Sequence, residues 1–70
     1  MTKFEEEVLR VLKIKNAELV SLSESTPLVA DSLGMTELCI LAEEYFNHPL
    51  TFADAKSYKT YGEFAKAVTK

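Results

Sequence analysis

Asp31-Ser32-Leu33-Gly34-Met35-Thr36-Glu37-Leu38-Cys39-Ile40-Leu41-Ala42-Glu43-Glu44-Tyr45-Phe46 is the stretch on which the fold turns. Met35, Leu38, Cys39, Ala42, Tyr45 and Phe46 recur at spacings of three and four, which places them on one side of a helix. Thr36, Glu37, Ile40 and Glu44 fall away from that side. The spacing predicts a helix from about Ser32 to Phe46 or Asn47, with the core on the first set. Asp31 has the short acceptor side chain of an N-cap. Gly34 weakens the first turn by about 1 kcal/mol relative to Ala, a cost that suits a position where a neighbour comes close. Asn47, His48 and Pro49 stop the helix.

Before this helix, Ser21, Ser23, Ser25, Thr26 and Pro27 oppose regular structure. Residues 16–31 read as a long connection, with Leu19, Leu22, Leu28 and Val29 as its apolar anchors. Further back, Thr2 followed by Glu5 forms a capping box. It opens a helix whose stripe is Phe4, Val8, Leu9, Val11 and Leu12, with Asn16 as its stop. Downstream, Thr51 with Asp54 predicts a short helical turn through Phe52, Ala53, Ala55 and Lys56. Thr60 with Glu63 is another capping box, opening a last helix with Tyr61, Phe64, Ala65 and Val68 inside. No strand-like alternation competes. The expected fold is all-α, a four-helix bundle with three main helices, a short third one and a long loop after the first.

A chain of 70 residues makes a single domain, residues 1–70, with a small core. One cysteine, Cys39, forms no internal disulfide, and with one histidine, His48, it makes no structural zinc site. A free thiol suits a reducing compartment. The charged start resembles no signal peptide, and no apolar run is long enough to span a bilayer. The expectation is a cytoplasmic monomer without stable membrane insertion. Small-molecule pockets usually need roughly 300–1,000 Å³, which favours a binding or carrier module over an enzyme.

Charge is uneven. From Glu18 to Asp54 the chain has seven acids and no Lys or Arg, whereas both flanks are net positive. Such a block repels nucleic acid and attracts basic protein surfaces. Paired carboxylates for hydrolysis need an apolar pocket to raise one pKa, and the acids here sit on outer helix faces. Ser32 as a catalytic nucleophile lacks a recognisable triad partner. Cys39 reads as a small core residue, His48 as a solvated or dipole-facing residue, and Tyr45, Tyr58, Tyr61 and Phe64 as core.

Ser32 is placed for modification. It lies where the long loop meets a helix start, and a phosphodiester there would be favoured by free backbone N–H groups and the helix dipole. Its plainer role is that of a cap. In this region the chain resembles the acyl carrier protein family. In that family Asp-Ser-Leu opens the second helix, followed by a Glu-Leu pair and acids before a terminal Phe; here these are Asp31-Ser32-Leu33, Glu37-Leu38 and Glu43-Glu44-Tyr45-Phe46. Tyr58-Lys59-Thr60-Tyr61 corresponds to the family's cap before the last helix. The resemblance runs from about Thr26 to Val68, and the first helix and loop agree in pattern.

The resemblance implies that a phosphopantetheinyl transferase attaches 4'-phosphopantetheine to Ser32, with Asp31 supporting. The arm would carry acyl or aminoacyl groups as thioesters between loading, condensing and processing enzymes. Fatty-acid, polyketide, nonribosomal-peptide and related pathways are the candidates. Leu33, Thr36, Glu37, Ile40, Glu43 and Glu44 match the family's partner-facing surface. Cargo would insert near Met35, Cys39, Ala42 and Phe64. Gly34 where fatty-acid carriers often have an acid, Phe52 and Lys56 in the third helix, and a net charge of only −3 imply a specialised carrier. The main alternative is a non-catalytic helical interaction module with the carrier fold and no prosthetic group. A regulatory domain of a larger chain is the third reading.

Overall fold

The computed structural model describes residues 1–69. It contains four helices: α1 (Lys3–Lys13), α2 (Ser32–Phe46), α3 (Phe52–Ser57) and α4 (Tyr61–Val68). No strand forms among the described residues; the nearest approach is an isolated bridge between Pro27 and Thr60. The fold is an all-helical bundle, with α1 and α3 both packed on α2.

The helix starts follow local chemistry. Thr2 accepts from the Glu5 N–H at 3.1 Å while the Thr2 N–H donates to Glu5 at 2.8 Å. Thr51 and Asp54 form the same reciprocal box. At α4 the expected box is altered: Thr60 accepts from the Glu63 N–H at 3.3 Å, but Glu63 reaches past Thr60 to the Lys59 N–H at 3.0 Å. Helix α2 ends with Asn47 in the left-handed region, at φ 51°. There the Asn47 and His48 N–H groups close onto the carbonyls of Glu43 and Ala42, a geometry in which Asn is one of the few tolerated non-glycine residues.

The core unites Phe4, Val8, Val11 and Leu12 of α1 with Met35, Leu38, Leu41 and Ala42 of α2 and Tyr61, Phe64 and Val68 of α4. Phe64 stacks on Phe4 with ring centroids 5.9 Å apart. Several expectations are corrected. Helix α1 ends at Lys13, with Ile14 as its cap, rather than continuing to Asn16. The buried face of α2 runs through Gly34, Met35, Leu38, Leu41 and Ala42, so Leu41 is core and Cys39 lies half-buried at the edge. Tyr45 and Phe46 are exposed, and their contact with the core is edge-on to Phe4, at ring-centroid distances of 5.7 and 4.7 Å. Leu9 is half-buried and Val29 is exposed, whereas Leu28 is a true anchor.

The long loop is tied down by backbone. Leu28 donates to the Lys59 carbonyl at 3.0 Å, Tyr61 to Thr26 at 2.8 Å and Gly62 to Glu24 at 3.0 Å. Thr26 is buried, and its hydroxyl accepts from the Ser23 N–H at 2.8 Å. A Cβ on Gly62 would stand 2.7 Å from the Glu24 carbonyl oxygen, so this approach requires glycine.

Candidate functional site

The start of α2 is built around Asp31. Its Oδ1 accepts from the Gly34 N–H at 2.8 Å, and its carbonyl accepts from the Met35 N–H at 2.9 Å. Asp31 is therefore the cap, and Ser32 is the first helical residue. The plain capping role for Ser32 is thus taken by its neighbour. Ser32 is exposed, and among the described residues no hydrogen bond engages its hydroxyl. The first N–H groups of a helix have no intrahelical acceptor. Here the cap takes the third, and those of Ser32 and Leu33 pair with no described residue.

Gly34 positions this start against α1. A Cβ there would lie 2.7 Å from the Ala30 Cβ and 3.3 Å from Val11 Cγ1. The close approach expected from glycine in the first turn is real, and it presses the chain before Ser32 onto the helix after it.

The positions expected to hold the arm and face partners share the outer side of α2: Asp31, Ser32, Leu33, Thr36, Glu37, Ile40, Glu43 and Glu44 are exposed. Leu33 is 78% exposed and Ile40 46%, so the row carries apolar surface beside its acids. The Thr36 hydroxyl turns back to the Ser32 carbonyl at 3.0 Å, leaving its methyl for contact. The row forms a ridge between two shallow grooves of about 360 Å³ each. One lies against α1, where Val11 and Ile14 face Leu33 and Ile40. The other lies toward α3, with Cys39 and Leu50 below Glu43 and Glu44.

Two participants were not legible in sequence. Ile14 stands just past the end of α1, 67% exposed, on the first groove. Arg10 bonds Glu7 at 3.0 Å and lies 3.7 Å from Glu37 across the groove. The Glu7 pair follows from i,i+3 spacing, but the Glu37 pair exists only because α1 and α2 meet.

In comparisons with known proteins, no family model, curated protein or solved structure matches this chain. The site itself therefore carries the functional reading. Cys39 offers little chemistry there: desolvation, and secondarily the Asp54 charge, push its thiol above the ordinary range. Its sulfur donates to the Thr51 carbonyl at 3.6 Å, so the reactive thiolate is disfavoured.

Proposed function

We propose that this chain is an acyl carrier protein, with a 4'-phosphopantetheine arm on Ser32 that carries acyl or aminoacyl thioesters. The observation that supports this best is a hydroxyl left free at a helix start whose capping role Asp31 already fills. The residues present fit such a group. Ser32 Oγ is the attachment atom, and the unpaired N–H groups of Ser32 and Leu33 with the α2 dipole favour the phosphodiester charge. When bound, the group supplies a thiol that keeps the cargo as an electrophilic thioester. Asp31 holds the helix start in place.

Loading transfers the arm from coenzyme A. Ser32 Oγ bonds to the pantetheine-side phosphorus, the P–O bond to adenosine 3',5'-bisphosphate breaks, and the serine proton goes to a base of the transferase. The chain catalyses nothing; it tethers cargo and presents a surface. Its partners are the phosphopantetheinyl transferase and loading, condensing and processing enzymes. We read it as a specialised cytoplasmic monomer, with no role for nucleic acid or stable membrane insertion. Among the described residues, no helix is long and apolar enough to cross a membrane. Medium-length cargo would part the core at Met35, Ala42 and Phe64, beside Cys39. Acylation with such chains is then expected to raise the melting temperature.

The test is a mass. Incubation with coenzyme A, magnesium and a broad-specificity transferase is expected to add one arm of roughly 340 Da, and Ser32→Ala to abolish the gain. A folded wild-type chain that gains no mass overturns the carrier reading and leaves an interaction module.

A further inference from the structure

We propose that α1 shapes docking at the groove between α1 and α2: Ile14 adds to the grip on an apolar side chain of a basic partner protein, and Arg10 competes with that partner for Glu37. The proposal rests on the carrier reading and concerns the surface beside the same serine. Leu33 and Gly34 line the groove and directly follow Ser32 in the chain, so a protein that reaches the hydroxyl must sit over it. Its floor and walls are apolar, from Val11, Ile14, Leu33 and Ile40. Its rim is acidic at Glu37 and lies within the long stretch of chain that carries no Lys or Arg. An apolar side chain flanked by Lys or Arg is the complement of that arrangement.

Arg10 is the cation at this rim. It stands 3.0 Å from Glu7 and 3.7 Å from Glu37, with both ends of the latter pair in water. An exposed pair of this kind is weak, so an arriving guanidinium or ammonium can displace it. Until then, Arg10 partly cancels the charge that steers a basic partner inward. Helix α1 therefore contributes twice: Ile14 to the grip and Arg10 to the rate of arrival.

The probe is a broad-specificity phosphopantetheinyl transferase acting on the unmodified chain at low salt, with kcat/KM read from the mass gain. Arg10→Gln is expected to raise kcat/KM about two- to fivefold, the range open to an exposed ion pair. Lys13→Gln removes the same charge from an exposed position and is expected to raise it less. In a Glu37→Gln background the extra gain from Arg10→Gln should vanish, and about 0.5 M salt should flatten all these differences. Ile14→Gln is expected to raise KM severalfold at either salt, with the melting temperature unchanged.

Equal effects of Arg10→Gln and Lys13→Gln, a gain that survives loss of Glu37, or an unaltered KM in Ile14→Gln each overturn the proposal while leaving Ser32 modification intact. A wild-type chain that is never modified removes the carrier reading, and this proposal with it.

Discussion

Two helix starts in this chain meet the same hydrogen-bonding problem in opposite ways. At α4 the first two N–H groups, of Tyr61 and Gly62, donate to the loop carbonyls of Thr26 and Glu24, and the third goes to Thr60. Every donor is used, and the helix start becomes a joint in the scaffold. At α2 the third donor goes to Asp31, while the first two pair with no described residue and open beside Ser32. Each start also carries a first-turn glycine in a close approach: Gly62 against loop backbone, Gly34 against the Ala30 side chain. Two capped helix starts can thus differ in whether their first donors are buried in the scaffold or left open, depending on whether another segment of chain covers them.

Substitutions at the two starts sharpen the contrast. The largest effect is expected at Gly62→Ala. Its Cβ would meet the Glu24 carbonyl at 2.7 Å, and backbone cannot easily yield. Chemical denaturation should show a loss of about 2–3 kcal/mol, typical of overpacking. Gly34→Ala should cost less, about 1–2 kcal/mol, because the obstacle is a methyl and alanine is the better helix former. Ala30→Gly on top of Gly34→Ala removes that methyl and should restore part of the loss; no comparable rescue exists for Gly62. A Gly34→Ala chain that is as impaired as Gly62→Ala and is not rescued would break the comparison.

Hydroxyl deletions come next. Thr60→Ala removes a cap and should cost about 1 kcal/mol. Ser32→Ala touches no described hydrogen bond and should stay within about 0.5 kcal/mol of wild type. An equal loss for the two would mean that Ser32 carries structure after all. The smallest effect is expected from pH. Burial, and then the Glu5 charge, raise the Tyr61 hydroxyl above its ordinary value. The folded state thus holds this proton more tightly than the unfolded chain. That contribution is complete below about pH 10 and is lost as pH rises through the higher folded value. Melting curves of Tyr61→Phe should fall less steeply in that range than those of wild type.

What sequence disclosed follows the same division. Caps are exchanges between residues three apart, so Thr2 with Glu5, Thr51 with Asp54, and Asp31 as the α2 cap could be read along the chain. Helical period placed Thr36, Glu37, Ile40 and Glu44 on the exposed row of α2, and the family resemblance added Leu33 and Glu43. Coverage by distant chain could not be read locally. Tyr45 and Phe46 have the spacing of core residues, yet both stay exposed although Phe4 of α1 touches their rings. Leu41 lies between the predicted stripe and the outer face, and only the position of its neighbours puts it inside. Glu63 passes over Thr60 to the Lys59 N–H, a partner that the three-residue spacing does not indicate. Arg10 and Glu37 are far apart in sequence, and no local pattern links them.

The tie between the loop and the last helix also makes that helix conditional on the rest of the chain. Helix α4 spans eight residues, below the roughly 12–15 that an isolated helix needs to persist in water. Its first two N–H groups, of Tyr61 and Gly62, find acceptors only in the loop carbonyls of Thr26 and Glu24. Closing so long a span costs chain entropy, whereas the cap of α2 comes from the adjacent Asp31. Helix α4 thus depends on distant chain for its start, whereas the helix that displays Ser32 carries its cap in the adjacent residue.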